Sequence, residues 1–229
     1  MDPDIVMVAR RLIATRPEAG NVRTFVFEAG DLTWVAGQSM AWVLPQAGAT
    51  EDERQHWFTL SAAPSEGTAN ISTRVSSSPF KQALAALAPG QTILTHSLEG
   101  DFTWEDTAAP VVLVAGGIGI TPFRSILLER QALGRPLDAT LLYFNRTGEI
   151  PFLATFEAAA EQHPEFALRP VVGGAITADR ILALAPEARN RVVYLSGPEP
   201  MVETVGAELT ARGIAIKQDW FPGYDEKNY

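Results

Sequence analysis

The chain has 229 residues, 46% hydrophobic and 20% charged, which is enough apolar surface for packed cores in one large or two small domains and excludes a disordered chain. Its formal charge of −9, with no long basic run, argues against nucleic acid as a partner. It has no cysteine and three scattered histidines, at 56, 96 and 163, so disulfides, iron–sulfur clusters and a cysteine nucleophile are excluded, a protein metal site is not expected, and redox chemistry would need a bound organic cofactor.

No apolar run reaches the roughly 18 residues a membrane-spanning helix needs, and the N-terminal MDPDIVMVARR lacks a signal-peptide core. A soluble, cytoplasmic protein is expected, with no membrane insertion. The first half then reads as β. VMVARRLI, VRTFVFEA, SMAWVLP, HWFTLSA, ANISTRVS and QTILTHSL are short, rich in β-branched and aromatic residues, and separated by turn signals such as Glu18-Ala19-Gly20-Asn21, Gly30-Asp31 and Pro89-Gly90. Such spacing predicts a barrel or sandwich. The polar stretch Gln46 to Gln55 reads as a surface loop. One short helix interrupts the strands, with Pro79 at its first position and Phe80, Ala83, Leu84 and Leu87 on one face.

The pattern changes near Glu105 to Ala109. Strands at Val111 to Ala115, Ala139 to Phe144, Phe166 to Val172, Arg191 to Leu195 and Ile214 to Lys217 now alternate with helices. Those helices run to about Leu133, then from about Pro151 to Gln162, Asp179 to Leu184 and Pro200 to Arg212. This alternation predicts an open parallel sheet with helices on both faces, and a division into residues 1–106 and 107–229.

Pro110 to Phe123, PVVLVAGGIGITPF, places an apolar strand, a glycine turn and a helix start in succession. Gly116, Gly117 and Gly119 let the backbone take positive φ and let an anionic group approach the N–H groups. Thr121 is a plausible N-cap and Pro122 a plausible first helical residue. The helix start then offers unsatisfied N–H groups and a positive dipole end to a phosphate. The spacing G-G-x-G-x-T-P departs from G-x-G-x-x-G at its last position, so a dinucleotide phosphate site is read here beside the alternative of an ordinary turn.

HWFTLS offers a cationic ring at His56, an aromatic face at Phe58 and a hydroxyl at Thr59, with His56, Phe58 and Leu60 on one side of a strand. On composition alone it could equally be a half-buried strand with a core Phe. The stretch HWFTLSAAP, however, resembles the flavin-binding strand of the ferredoxin–NADP reductase family, R-x-[YF]-[ST]-x-[AS]-S, in the H-P-F-T form of its ferric reductase and NADPH oxidase relatives. Four more segments follow the family's order. Ala36-Gly37-Gln38 resembles P-G-Q, Gly100-Asp101-Phe102 the G-x-F turn, Gly116 to Pro122 the pyridine-nucleotide loop, and Ser196-Gly197-Pro198 with Met201 the C-G-P-x-x-M motif. Ser78-Pro79-Phe80-Lys81 stands where the family contacts the flavin pyrophosphate.

The resemblance implies a six-stranded antiparallel barrel that holds FAD on His56, Trp57, Phe58, Thr59, Leu60 and Ser61, with Ser78 and Lys81 at its phosphates. It implies an α/β domain that holds NADH or NADPH on Gly116, Gly117, Gly119, Thr121, Pro122, Asn145, Arg146, Gly197, Pro198 and Met201. Phe58 would pack on the flavin and Thr59 would bond near the hydride-accepting nitrogen. Ser196 and Asp219 would complete a polar catalytic set with Thr59, and Phe221 would shield the flavin. Lys81 could instead be a solvated surface lysine, and the aromatic tail could simply dock on the domain interface; Trp220 or Tyr224 could also cover the ring. His56 departs from the family's usual Arg, which keeps its charge while His titrates near neutrality. Ser196 departs from Cys. Asn145-Arg146 ends the second α/β strand, where an acid would favour NADH and an Arg could meet a 2′-phosphate; the region Gly173 to Thr177 shows no second cation, and the choice stays open with a lean to NADH. The implied activity is hydride transfer from NAD(P)H to FAD, then electron delivery to a separate acceptor such as a small redox protein. A flavin or ferric reductase using diffusible flavin, and a non-catalytic dinucleotide sensor, are the alternatives.

Overall fold

The computed structural model describes residues 6–105 and 109–221. The tail Pro222 to Tyr229, with Tyr224, and the side chain of Phe221 lie outside the described residues. Two sheets organise the chain. The first contains β1 (Val8–Pro17), β2 (Val22–Glu28), β3 (Ser39–Val43), β4 (Gln55–Thr59), β5 (Thr68–Arg74) and β6 (Thr92–Glu99), antiparallel in the order β4-β3-β6-β1-β2-β5. A backbone bond from Ser61 N–H to the Asn70 carbonyl, 2.9 Å, joins the chain after β4 to β5 and closes the sheet into a barrel. Its core is Leu12, Phe25, Phe27, Trp42, Leu60, Ile71, Phe80 and Leu84, all 2% exposed or less. Phe80 and Leu84 come from the short helix α2 (Pro79–Ala85), whose apolar face plugs one end of the barrel.

The second sheet is parallel, in the order β11 (Ile216–Phe221), β10 (Val192–Pro198), β7 (Val111–Gly116), β8 (Ala139–Asn145), β9 (Phe166–Val172). Every residue of β7 and β8 is buried, because alternate side chains feed two different cores. Val111, Leu113 and Ala115 pack with α3 (Thr121–Ala132) and α4 (Leu153–Gln162) through Phe123, Ile126, Leu127 and Phe156. Val112 and Val114 pack with α5 (Ala178–Leu184) and α6 (Glu199–Ala211) through Ile181, Val202, Val205 and Leu209. Each such side chain contributes about 1.5–3 kcal/mol on burial, so an unbroken VVLV run is what a two-faced strand requires. Chain order reverses between β7 and β10, which opens a crevice at the C-terminal ends of these strands.

α3 fastens the two sheets together. Arg124 donates to the Ser61 carbonyl (2.6 Å) and to both oxygens of Glu66 (2.8 and 3.0 Å), and Ser125 Oγ donates to the Ala62 carbonyl (2.6 Å). Glu129 accepts from Ser65 N–H (2.8 Å). Gly37, at φ +102°, lies against the Phe102 carbonyl so closely that no Cβ fits, which accounts for glycine in the Ala36-Gly37-Gln38 turn.

Three local expectations need correction. The stretch 46–55 contains a helical turn, α1 (Glu51–Arg54), set by a capping box: Glu53 N–H donates to Thr50 Oγ1 (3.3 Å) and Thr50 N–H to Glu53 Oε2 (3.0 Å). Thr121 is the first helical residue rather than the N-cap. A 3-10 turn over Gly117–Ile120 precedes it, and its hydroxyl donates to the Ile118 carbonyl (3.1 Å). The last strand starts at Ile216, with Ile214 buried before it. Among the described residues no helix is long and apolar enough to cross a membrane.

Candidate active site

The crevice at the ends of β7, β8, β9 and β10 encloses about 580 Å³. Gly116 and Gly117 form its floor, Phe144, Asn145 and Arg146 one wall, Gly173 to Ile176 the next, and Pro198, Pro200 and Met201 the far side. Arg74 reaches in from the end of β5 on the barrel. Among the described residues the lining holds two guanidinium groups and no carboxylate, in a chain of net charge −9. Local chemistry here opposes the overall charge and suits an anion.

Other features fit a phosphate-bearing ligand. Gly117 takes φ +55°, and at Gly119 a Cβ would collide with the backbone of Ser196 and Gly197, so both residues must be glycine for the turn to nest under β10. Asn145 is 7% exposed, yet neither amide atom makes a hydrogen bond of ordinary geometry; its amide acts on the buried Tyr143 hydroxyl, opposing the rise in that group's pKa that burial causes. Arg74 donates to Asn21 Oδ1 (3.2 Å) while its Nε is buried without a partner. Buried donors left in this state cost about 1–3 kcal/mol each, which a ligand's oxygens would relieve. Arg180 braces the rim from below, donating to the Gly173 (2.7 Å) and Ala175 (3.1 Å) carbonyls with its guanidinium over the Phe144 ring.

On β10 and β11, just before the crevice-lining Pro198, Ser196 and Asp219 stand side by side, and Ser196 Oγ donates to Asp219 Oδ2 at 3.4 Å. Ser196 is fully buried. Asp219 is partly exposed, yet desolvation of its carboxyl pushes its pKa up to about 7; the Ser196 hydroxyl opposes the shift and the nearby Asp101 charge adds to it. Thr59, 3% exposed on β4, bonds to neither among the described residues, so the polar trio is two in contact and one on the facing barrel. Trp220 is 46% exposed beside them, and Phe221 pairs by its backbone with Pro198.

On the barrel, His56, Phe58 and Phe80 form an aromatic cluster: the His56 ring lies 4.7 Å from Phe80 and 6.1 Å from Phe58, and Phe58 lies 5.7 Å from Phe80. Phe58 is only 6% exposed, closed over by this cluster. Ser78 is half-buried at the start of α2 without a capping bond from its side chain. Lys81 is not a surface lysine but 4% exposed, and burial first, then the like charge of Arg74, push its pKa down to about 8. Two neighbouring cations in this state suit a bound polyanion. Leu60 and Ser61 are fully buried: Leu60 in the barrel core, Ser61 Oγ bonded to Ser72 Oγ (2.8 Å) and the Asn70 carbonyl (3.2 Å). Thr121 and Pro122 are buried as well, and Trp57 is 39% exposed.

Arg74 and Arg180 escaped the sequence reading. Arg74 closes the alternating strand ISTR just before Ser78 and Lys81, and a charged residue at that strand end was the signal. Arg180 is four residues beyond a glycine-rich loop, and nothing local marks it.

Residues 113–206 match the model of the oxidoreductase NAD-binding domain. The reductase subunit of an aromatic O-demethylase from Amycolatopsis sp. is 29% identical over 219 residues, 85% of this chain and 63% of that protein. Ferredoxin–NADP reductase B of Sorangium cellulosum is 32% identical over 146 residues, 61% of this chain and 58% of that one. The chain therefore spans less than two thirds of the length of these curated relatives. In fold it is similar to the Amycolatopsis cytochrome P450 reductase GcoB (TM-score 0.79, 24% identity, 95% of this chain and 70% of that one). It is likewise similar to a ferredoxin NADP+ reductase from Neisseria gonorrhoeae with bound FAD and NADP (TM-score 0.73, 18% identity, 93% and 98%).

Proposed function

We propose that the chain, whose residues 113–206 match the oxidoreductase NAD-binding domain and whose fold is that of ferredoxin–NADP reductase-like proteins, passes hydride from NADH or NADPH to FAD and hands the electrons to a separate redox partner. The observation that carries this reading is the crevice lining, which among the described residues sets Arg74, Arg146 and the buried amide of Asn145 above a glycine floor with no carboxylate. When bound, the flavin would supply the hydride-accepting ring and the nicotinamide the hydride.

The residues divide the work. Gly116, Gly117 and Gly119 let the pyrophosphate approach the backbone, and Arg74 neutralises it from the barrel side. Gly197, Pro198 and Met201 set the far wall of the nicotinamide end, while Asn145 and Arg146 hold the adenosine end. Lys81, Ser78 and His56 would hold the flavin phosphates, and Phe58 would receive the ring after turning out from Phe80. Thr59 orients the reactive edge. Ser196 and Asp219 exclude water from the nicotinamide, with the Asp219 carboxyl able to hold or release a proton near neutrality. Catalysis is mostly proximity, because two rings held in one cleft react as a single unit. The barrel unit 1–106, the nucleotide unit 107–229 and a cytoplasmic setting belong to the same proposal. The relatives are named as reductase components and ferredoxin reductases, and a small redox protein is the acceptor we propose.

A second reading, a reductase that takes flavin as a diffusible substrate, is favoured by one feature: Phe58 is folded against Phe80 and His56 replaces Arg, so no rigid flavin platform stands ready. Anaerobic mixing of FAD-loaded chain with NADH and NADPH separately tests both. Rapid bleaching of the flavin absorbance by one of them is expected. No bleaching by either refutes the reaction, and flavin lost on gel filtration selects the second reading.

A further inference from the structure

We propose that Met201 is an oxidation switch on the crevice, a methionine whose conversion to the sulfoxide by peroxide closes the nucleotide site; this rests on the crevice being that site. The chain contains no cysteine, so thioethers are its only sulfur targets. Of the methionines in the described residues, Met40 is sealed in the barrel core at 2% exposure and Met7 lies at the edge of β1, far in sequence from any site residue. Met201 alone among them lines the crevice, partly exposed.

Its packing makes the oxidation consequential. The Met201 methyl occupies the hollow left by two missing side chains. A Cβ on Gly116 would stand 2.7 Å from it, and one on Gly197 would be closer still. The other groups around Gly116 are Pro198 Cδ and Ile176 Cδ1, both apolar. In the reaction the sulfur lone pair attacks one peroxide oxygen, the O–O bond breaks, an S–O bond forms and water leaves. Sulfur loses two electrons and the peroxide gains them. The product is a polar, chiral group with a strong acceptor oxygen. Neither glycine, Pro198 nor Ile176 offers a side-chain donor on the packed side, and the open side of Met201 is the crevice, so we place the oxygen there, by the Gly116–Gly117 floor where the dinucleotide would lie.

The test treats the full chain with graded hydrogen peroxide, with and without ADP-ribose, maps oxygen addition at each methionine by peptide mass, and measures ADP-ribose affinity by calorimetry. Met201 is expected to oxidise well before Met40, with bound ADP-ribose slowing it about tenfold. Affinity should fall roughly ten- to a hundredfold and return after treatment with methionine sulfoxide reductases. Met201→Leu, whatever its own starting affinity, should show no further loss with peroxide. Oxidation of Met201 without loss of affinity, or no faster than that of Met40, overturns the inference while leaving the crevice reading intact. Failure of untreated chain to bind ADP-ribose overturns both.

Discussion

Replacing Asp219 by Asn should change how stability depends on pH. In the folded chain this carboxyl is raised from 3.8 to about 7, chiefly by burial. A raised acid favours the protonated native state, so its contribution is complete below about pH 4, where both states are protonated. It falls as pH rises, because the unfolded chain ionises first, and the loss levels off above about pH 7. With one pKa unit worth about 1.4 kcal/mol, the full span is about 4 kcal/mol, of which about 2 to 3 falls between pH 5 and pH 8. Lys217 on the same strand pairs with Glu105 (2.6 Å) and leaves Asp219 uncompensated, while Asp101 acts in the same direction as burial. Urea unfolding of the natural chain and of Asp219→Asn at several pH values reads this directly. The natural chain should lose stability from pH 5 to 8, and the difference from the variant should shift towards Asn by about 2 kcal/mol or more. Identical pH slopes for the two proteins would refute the claim that this carboxyl is held in a desolvated site.

Gly119→Ala should fail to fold or lose about 3 kcal/mol or more, since its Cβ would meet the rigid backbone of Ser196 and Gly197. Gly148→Ala, with open space around it, is the control and should be near neutral by chemical denaturation. Arg124→Ala strands the Glu66 carboxylate and the Ser61 carbonyl at the junction of the sheets and should lower stability by about 2–3 kcal/mol; a loss below about 0.5 would mean the clamp is not holding the units together. With Lys81 near 8, FAD affinity should weaken as pH rises through about 8 and the ammonium is lost. Lys81→Ala should bind FAD weakly at every pH, and an unchanged pH profile in that variant would remove Lys81 from the flavin site.

The parts of the fold written by periodicity were legible. The VVLV run had to be a strand with two covered faces; of the helix face that periodicity gives to Phe123, Ile126, Leu127 and Leu133, the first three are buried, while Leu133 caps the helix end and is 52% exposed. What failed was local chemistry competing with pattern. Thr50 and Glu53 formed a capping box inside a stretch whose polarity suggested only loop, and three glycines allowed a 3-10 turn that moved the helix start past the cap expected at Thr121. In the site, the nearness of Ser196 and Asp219 was implied only by the family resemblance, since the strand expected at Ile214 to Lys217 stopped short of Asp219; the observed strand runs to Phe221 and sets the two residues side by side. Arg74 could not be placed from sequence, because its place in the crevice depends on how the barrel docks on the other sheet through Arg124 and Ser125, which reach segments 63 residues away in a relation that no local pattern encodes. The burial of Phe58 against Phe80 likewise depends on α2 plugging the barrel.

A crystal structure of the chain soaked with FAD decides most directly whether this is a flavin-driven reductase. The tricyclic ring should lie against Phe58, displaced from Phe80, with the Thr59 hydroxyl at its reactive edge and the phosphates beside Lys81. A barrel surface that stays bare at saturating FAD, or a ring bound away from Thr59, would contradict it.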